Sequence, residues 1–254
     1  MCLLRFIGFD LKQSLFNISG VFYLIIMPVG FYLLFGGMQT YGEYAFREGN
    51  AAAYVMIGMA VYGAVSGAVS ASASSVVEIE SGWGRQLALT PLTSKQVLLA
   101  QVARALVTTA LPVLCVNIIA RFTKAEIPLE QQILCALVTF LASSIFVFYG
   151  VAFARIFKNP SAISVAAGLL VFFSFFGTTF SPLSPSLLEF ARFTPLYGVT
   201  QLSRYFFTGG DTVTTDAVNW FVTEPLEYAV LNFLCWSVVF VLSAWLLRHR
   251  ARSR

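Results

Sequence analysis

Glu78-Ile-Glu-Ser-Gly-Trp-Gly-Arg-Gln-Leu-Ala-Leu-Thr-Pro-Leu-Thr-Ser-Lys95 is a polar interruption between two long apolar runs. Its charges are costly in hydrocarbon, so it belongs in water or against a partner. Trp83 and Leu87 are one helical turn apart, with Arg85 and Gln86 on the other side, which reads as a short amphipathic helix. Thr90-Pro91 stops it. Thr93-Ser-Lys-Gln96 has the spacing of a capping box and predicts that the next helix begins near Ser94. The expectation is a short helix slung between two membrane crossings.

The composition agrees with that setting. Of 254 residues, 58% are hydrophobic and 11% charged, against about 25% charged in soluble domains. The fold class expected is an all-α integral membrane protein, with residues 1–254 forming a single transmembrane domain. The apolar run Asn17 to Met38 is longer than a signal-peptide core and lacks a small-residue cleavage site, so it reads as a retained span. Cys2, Cys115, Cys135 and Cys235 fit no metal or redox spacing and read as small apolar residues, with no disulfide expected.

Six spans are expected, at about 17–38, 51–76, 97–120, 133–154, 162–180 and 228–247. Before them, Leu4, Ile7, Leu11 and Leu15 share one stripe of an amino-terminal helix lying in the interface, with Arg5, Lys12 and Gln13 elsewhere. Pro28 is expected to kink span one. In span two, Gly63 and Gly67 have GxxxG spacing beside Ser66, Ser70 and Ser74. Close helix packing explains these better than a polar solute path. Arg104, two turns into span three, either snorkels to the near interface, the favoured reading, or faces protein. Asn117 is read as packing, with a bond to another helix as the alternative. The phenylalanines of span five, Phe172, Phe173, Phe175, Phe176 and Phe180, read as lipid-facing bulk rather than an aromatic wall. Gln39 to Asn50 reads as a short polar loop. Residues 181 to 224 mix apolar residues with Ser, Pro and Arg, which predicts short helices dipping back into the membrane face. Such backbone must be buried in protein or line a cavity. Thr208-Gly-Gly-Asp211 breaks that pattern, and a polar loop follows.

Charge sets the expected orientation. Eleven of the sixteen Lys and Arg residues fall on the side shared by both termini, the Glu78 loop and the Arg155-Ile-Phe-Lys-Asn-Pro160 turn. The positive-inside rule makes that side cytoplasmic, giving a multi-pass plasma-membrane protein with both termini in the cytoplasm. No GxxxxGK[ST], HExxH, CxxC or GxSxG occurs, so catalysis by this chain alone is not expected, and no metal site is read. Nothing points to nucleic acid. His249 reads as a headgroup contact in the basic tail. Ionisable residues deep in the spans are lacking apart from Arg104, which argues against a proton- or sodium-driven carrier.

Glu78-x-Glu80-x-Gly82, Leu87 and Thr90-Pro91-Leu92 resemble the loop of the ABC type-2 permeases, the membrane subunits of ATP-driven exporters, including drug- and daunorubicin-resistance permeases. Ser181-Pro182, Pro185, Thr194-Pro195-Leu196-Tyr197, Arg204 and Gly209 are similar to the family's re-entrant segment at the outer face. The sequence departs from the family where Gly-Lys often enters span three, since Ala100-Gln101 stands there. The resemblance implies a coupling helix between spans two and three, re-entrant helices between spans five and six, and two partner ATPase subunits. It also implies a second permease copy, identical or not, within membrane lipid. No cofactor would bind directly; ATP and Mg would act through the partner. Glu78, Glu80, Gly82, Trp83, Arg85, Leu87, Pro91, Arg155 and Lys158 would make or orient the ATPase contact. Pro195, Tyr197, Arg204 and Gly209 would form the outer segment. The cargo expected is an apolar or amphipathic solute, a drug-like molecule, lipid or lipid-linked glycan, moved outward. The alternative is a non-transport assembly or immunity factor that binds partners through the same loops.

Overall fold

A computed structural model describes residues 3–15, 20, 22–157, 161–216 and 220–252. Helix α1 (Leu3–Leu15) turns Phe6 fully inward and Ile7, Asp10 and Leu11 partly so, while Arg5, Lys12 and Gln13 face out. The inward face is thus centred between Phe6 and Asp10 rather than on the expected leucine stripe. Phe6 fills a space beside Leu87 and Ala100, and Asp10 follows Arg104. The side chains of Leu4 and Leu15 lie outside the described residues.

The next apolar stretch is not one regular α-helix. Wide turns at Phe22–Ile26 and Leu33–Gly37 flank α2 (Met27–Tyr32). Pro28 stands in the first turn of α2, where its missing N–H costs least, and the wide turn before it absorbs the irregularity. The apolar part, Leu24–Gly37, falls short of 18 residues. Residues 17–19 and 21 at the start of the expected span lie outside the described residues.

Helix α3 (Ala51–Glu78) is the central column, with 89% of its most apolar window buried. Asn50 caps it by accepting from the Ala53 amide at 3.1 Å and from Glu126 at 3.1 Å. Neighbours approach closely because glycines lie on its faces. A Cβ at Gly63 would press on Pro112 and Pro28, and one at Gly67 on the backbone of Thr108. Close packing therefore accounts for the glycines, whereas Ser70 remains exposed.

After the 79–93 loop, with its short helix α4 (Gly84–Ala88), α5 (Ser94–Ala120) starts where the capping box placed it. Thr93 Oγ1 accepts from the Gln96 amide at 3.3 Å, and Gln96 Oε1 accepts from the Thr93 amide at 2.9 Å. Helices α6 (Leu129–Ser143) and α7 (Phe146–Phe157) form one long apolar passage, interrupted at Ser144 and Ile145. Asn117 does more than fill space, because Gln132 Nε2 donates to its carbonyl and its Oδ1, both at 3.1 Å, joining α5 to α6.

Helix α8 (Ser161–Phe176) is shorter than the expected 162–180. It ends in a turn where Thr178 takes a φ of 60°. Short helices α9 (Pro185–Ala191) and α10 (Pro195–Thr208) then pack into the bundle, and most of α10 is buried. Helix α11 (Leu226–Arg252) closes the fold.

The two stretches expected to be plain loops are small antiparallel ribbons. Ala45–Phe46 (β1) pairs with Gly49–Asn50 (β2), and Asp211–Val213 (β3) pairs with Phe221–Thr223 (β4). Strands of two or three residues are too short to announce themselves by alternation. Among the described residues, four stretches are long and apolar enough to cross a membrane: α3, α5, the α6–α7 passage and α11 as far as Arg248. The two shorter apolar stretches, Leu24–Gly37 and α8, lie against them.

Candidate functional site

Two regions at opposite ends of α3 carry chemistry. At its carboxyl end a latch joins three elements around Arg104, which is buried rather than snorkelling. Its guanidinium meets Glu78 at 3.2 Å and Asp10 at 3.3 Å, and donates to Ser75 Oγ. Protein carboxylates are within reach of the side chain, so it has no need to climb to an interface. Burial pushes the Asp10 carboxyl above the usual carboxylate range, against the opposing pull of Arg104.

The latch fixes the root of the 79–93 loop. Gly82, in a wide turn at Ile79–Trp83, takes a φ of 111°, a conformation that a side chain would strain. α4 then folds back so that Leu87 is buried against Phe6 and Ala100. Trp83 does not share that face fully and is 40% exposed. Glu80, Arg85 and Pro91 face out, and Leu89 is 89% exposed. Glu78 is turned toward Arg104. Arg155 lies at this end and donates to the Ala244 carbonyl of α11. It feels the charges of Glu80 and Arg248. Lys158 and the rest of its turn to Pro160 lie outside the described residues.

At the other end of α3, Pro195 sits in the first turn of α10, and Gly209 closes that helix at a φ of 61°. Tyr197 donates to Glu224 Oε2 at 2.6 Å, and Arg192 grips both Glu224 oxygens at 2.9 Å. Burial would raise the Glu224 carboxyl, but the hydrogen bonds from Arg192 and Tyr197 and the Arg192 charge outweigh it and hold the carboxyl below its ordinary 4.5. A depressed carboxylate lends its stability in full above its unfolded value and loses it as the pH falls through the lower folded one. Acidification below about pH 4.5 is therefore expected to loosen the β3–β4 end, read as a lower amide protection factor at Thr223 once the intrinsic exchange rate at each pH is divided out. Glu224→Gln should abolish that acid dependence.

Arg204 is buried to 1%. Its Nη1 donates to the Thr178 carbonyl at 2.7 Å, and its guanidinium carbon lies 3.8 Å from the Tyr54 ring centre. Beside it opens an aromatic-lined cavity of about 920 Å³. Phe175 and Phe180 of the phenylalanine-rich stretch line it, so part of that stretch is an aromatic wall after all. The sequence alone singled out neither Tyr54 nor Thr178. The available signal was Arg204 itself, a lone cation within an otherwise uncharged α10. Asp10, the only acid of α1, was a similar signal for Arg104.

A scan against protein-family models finds none that matches this chain, and no curated protein matches it. What the fold shows by itself is a helical protein with, among the described residues, four helical stretches long and apolar enough to cross a membrane, which suggests a multi-pass membrane protein.

Proposed function

We propose that the chain is the permease subunit of an ATP-driven exporter, with six crossings, both termini cytoplasmic, and the 79–93 loop receiving force from a separate ATPase. The observation that carries this reading is the way the loop is held. The Asp10–Arg104–Glu78 latch and the Leu87 contact fix it to α1, α3 and α5. Ile79, Glu80, Trp83, Arg85 and Leu89 are left facing out. A push on such a face moves two long helices together, as a coupling element must. The exposed mixture of large apolar residues and charge suits a docking partner better than bulk water. The sequence holds no phosphate loop, so the energy has to be supplied by another chain. The cargo in this reading is an apolar or amphipathic solute moved outward, and the working unit pairs this chain with a second permease and two ATPase subunits.

The test is purification of the full chain from its own membranes, reconstitution in lipid, and assay of co-purifying ATP hydrolysis with and without Glu80→Arg. That exposed substitution should leave insertion and thermal stability unchanged while lowering bound ATPase activity about tenfold, the loss of about 1.4 kcal/mol of docking. Normal partner binding and hydrolysis in the variant would overturn the assignment, as would solute movement by the chain without any nucleotide-hydrolysing companion.

A further inference from the structure

We infer that the cavity beside Arg204 binds an amphiphile whose anionic head group is received by that guanidinium. The inference rests on the cavity alone and is independent of the coupling loop. A volume of about 920 Å³ is in the range of small-molecule sites. Phe31, Phe35, Tyr62, Val171, Phe175 and Phe180 supply apolar walls, and edge contacts link Phe175 to Phe180 at 5.1 Å and Phe180 to Phe31 at 5.6 Å. Phe35 and Phe175 are about half exposed, which leaves the flank between Leu24–Gly37 and α8 open to an entering chain.

The polar end is built and incomplete. Among the described residues, no carboxylate pairs with Arg204. Two carbonyls and the Tyr54 ring receive its charge without neutralising it. Arg204 Nε and Thr178 Oγ1 make no hydrogen bond, and both residues are more than nine-tenths buried and line the cavity. A buried cation without a counter-anion is expensive, and an ionisable side chain facing a cavity within a membrane protein marks a ligand path.

Two backbone features show how the arrangement is held. Thr178 keeps its φ of 60°, rare for a β-branched residue and a form of strain that clusters at ligand sites. Gly58 leaves the room that Arg204 occupies, for a Cβ there would collide with its Nη2. The one acid among the described lining residues, Asp216, is already engaged in interactions of its own. A carboxylate or phosphate on a single apolar chain supplies the missing acceptor, and its tail takes the aromatic walls.

The experiment uses the full chain in discs of zwitterionic phosphatidylcholine and measures equilibrium binding of labelled myristate, myristyl phosphate and methyl myristate. At least one of the two acids should saturate a single site about tenfold more tightly than the uncharged ester. Whichever acid binds more tightly identifies a carboxylate or a phosphate head. Arg204→Gln should bring acid and ester to parity. Should that variant fail to fold, Thr178→Val is read instead, with the preference for the acid falling about threefold. Phe175→Ala should weaken all three probes by a common factor and leave their ratio unchanged. Equal binding of acid and ester by the unaltered chain, absence of saturable binding, or a preference that survives in folded Arg204→Gln would each overturn the inference. None of these outcomes involves the ATPase, so coupling through the 79–93 loop stands or falls separately.

Discussion

Arg104→Leu is expected to destabilise the protein by about 3 kcal/mol, because removing one partner of a buried ion cluster strands the others. Asp10 and Glu78 would face each other without their shared cation, and Ser75 and the Ala71 carbonyl would lose a donor. Glu78 is partly exposed, which keeps the estimate at the low end of the range for buried pairs. Adding Asp10→Asn should recover part of the loss, since one of the stranded charges is then gone. Thermal unfolding of the single and double variants in one detergent checks this. A single variant as stable as the parent would show that the latch contributes little and that α1 is held by its apolar contacts through Phe6 and Ile7.

Gly67→Val is the second large effect. The α3 and α5 backbones meet at this position, and a Cβ would be driven into the Thr108 carbonyl, which cannot move without shifting α5. Overpacking of this kind costs about 3 kcal/mol or more. The control is Gly168→Ala in α8, where a Cβ meets nothing within 4 Å and better helix propensity should stabilise by up to about 1 kcal/mol. Opposite signs at two helical glycines, followed by thermal unfolding, separate close approach from propensity.

The long helices were legible because their signal is redundant. α3, α5 and α11 each carry more than 20 consecutive residues of apolar pattern with recognisable starts, and the Thr93 capping box fixed one boundary to the residue. The two shorter apolar stretches show where that signal weakens. Composition alone cannot distinguish the wide turns around α2 from regular helix, and it does not reveal that Thr178 ends α8 early. The sites were less legible still. Arg104 reads as a snorkelling residue only if its partners are unseen, and those partners are 94 and 26 positions away in the chain. Tyr54 looks like one more aromatic residue in an apolar run until α10 brings Arg204 beneath it. Patterning reports which residues avoid water, whereas these sites depend on which distant segments meet.

The burial of α3 constrains how copies of the chain can associate. With its small-residue faces spent on α2, α5 and α7, that column has little left to offer a neighbour. If two protomers pair, as the proposed function requires, the surface open to them is the outer rim of the bundle, where Leu98, Val102 and Leu106 on α5 or Leu231, Leu234 and Val238 on α11 project outward. Each half would then keep its own fully assembled middle, and a stroke delivered to one would rock it as a unit against its twin.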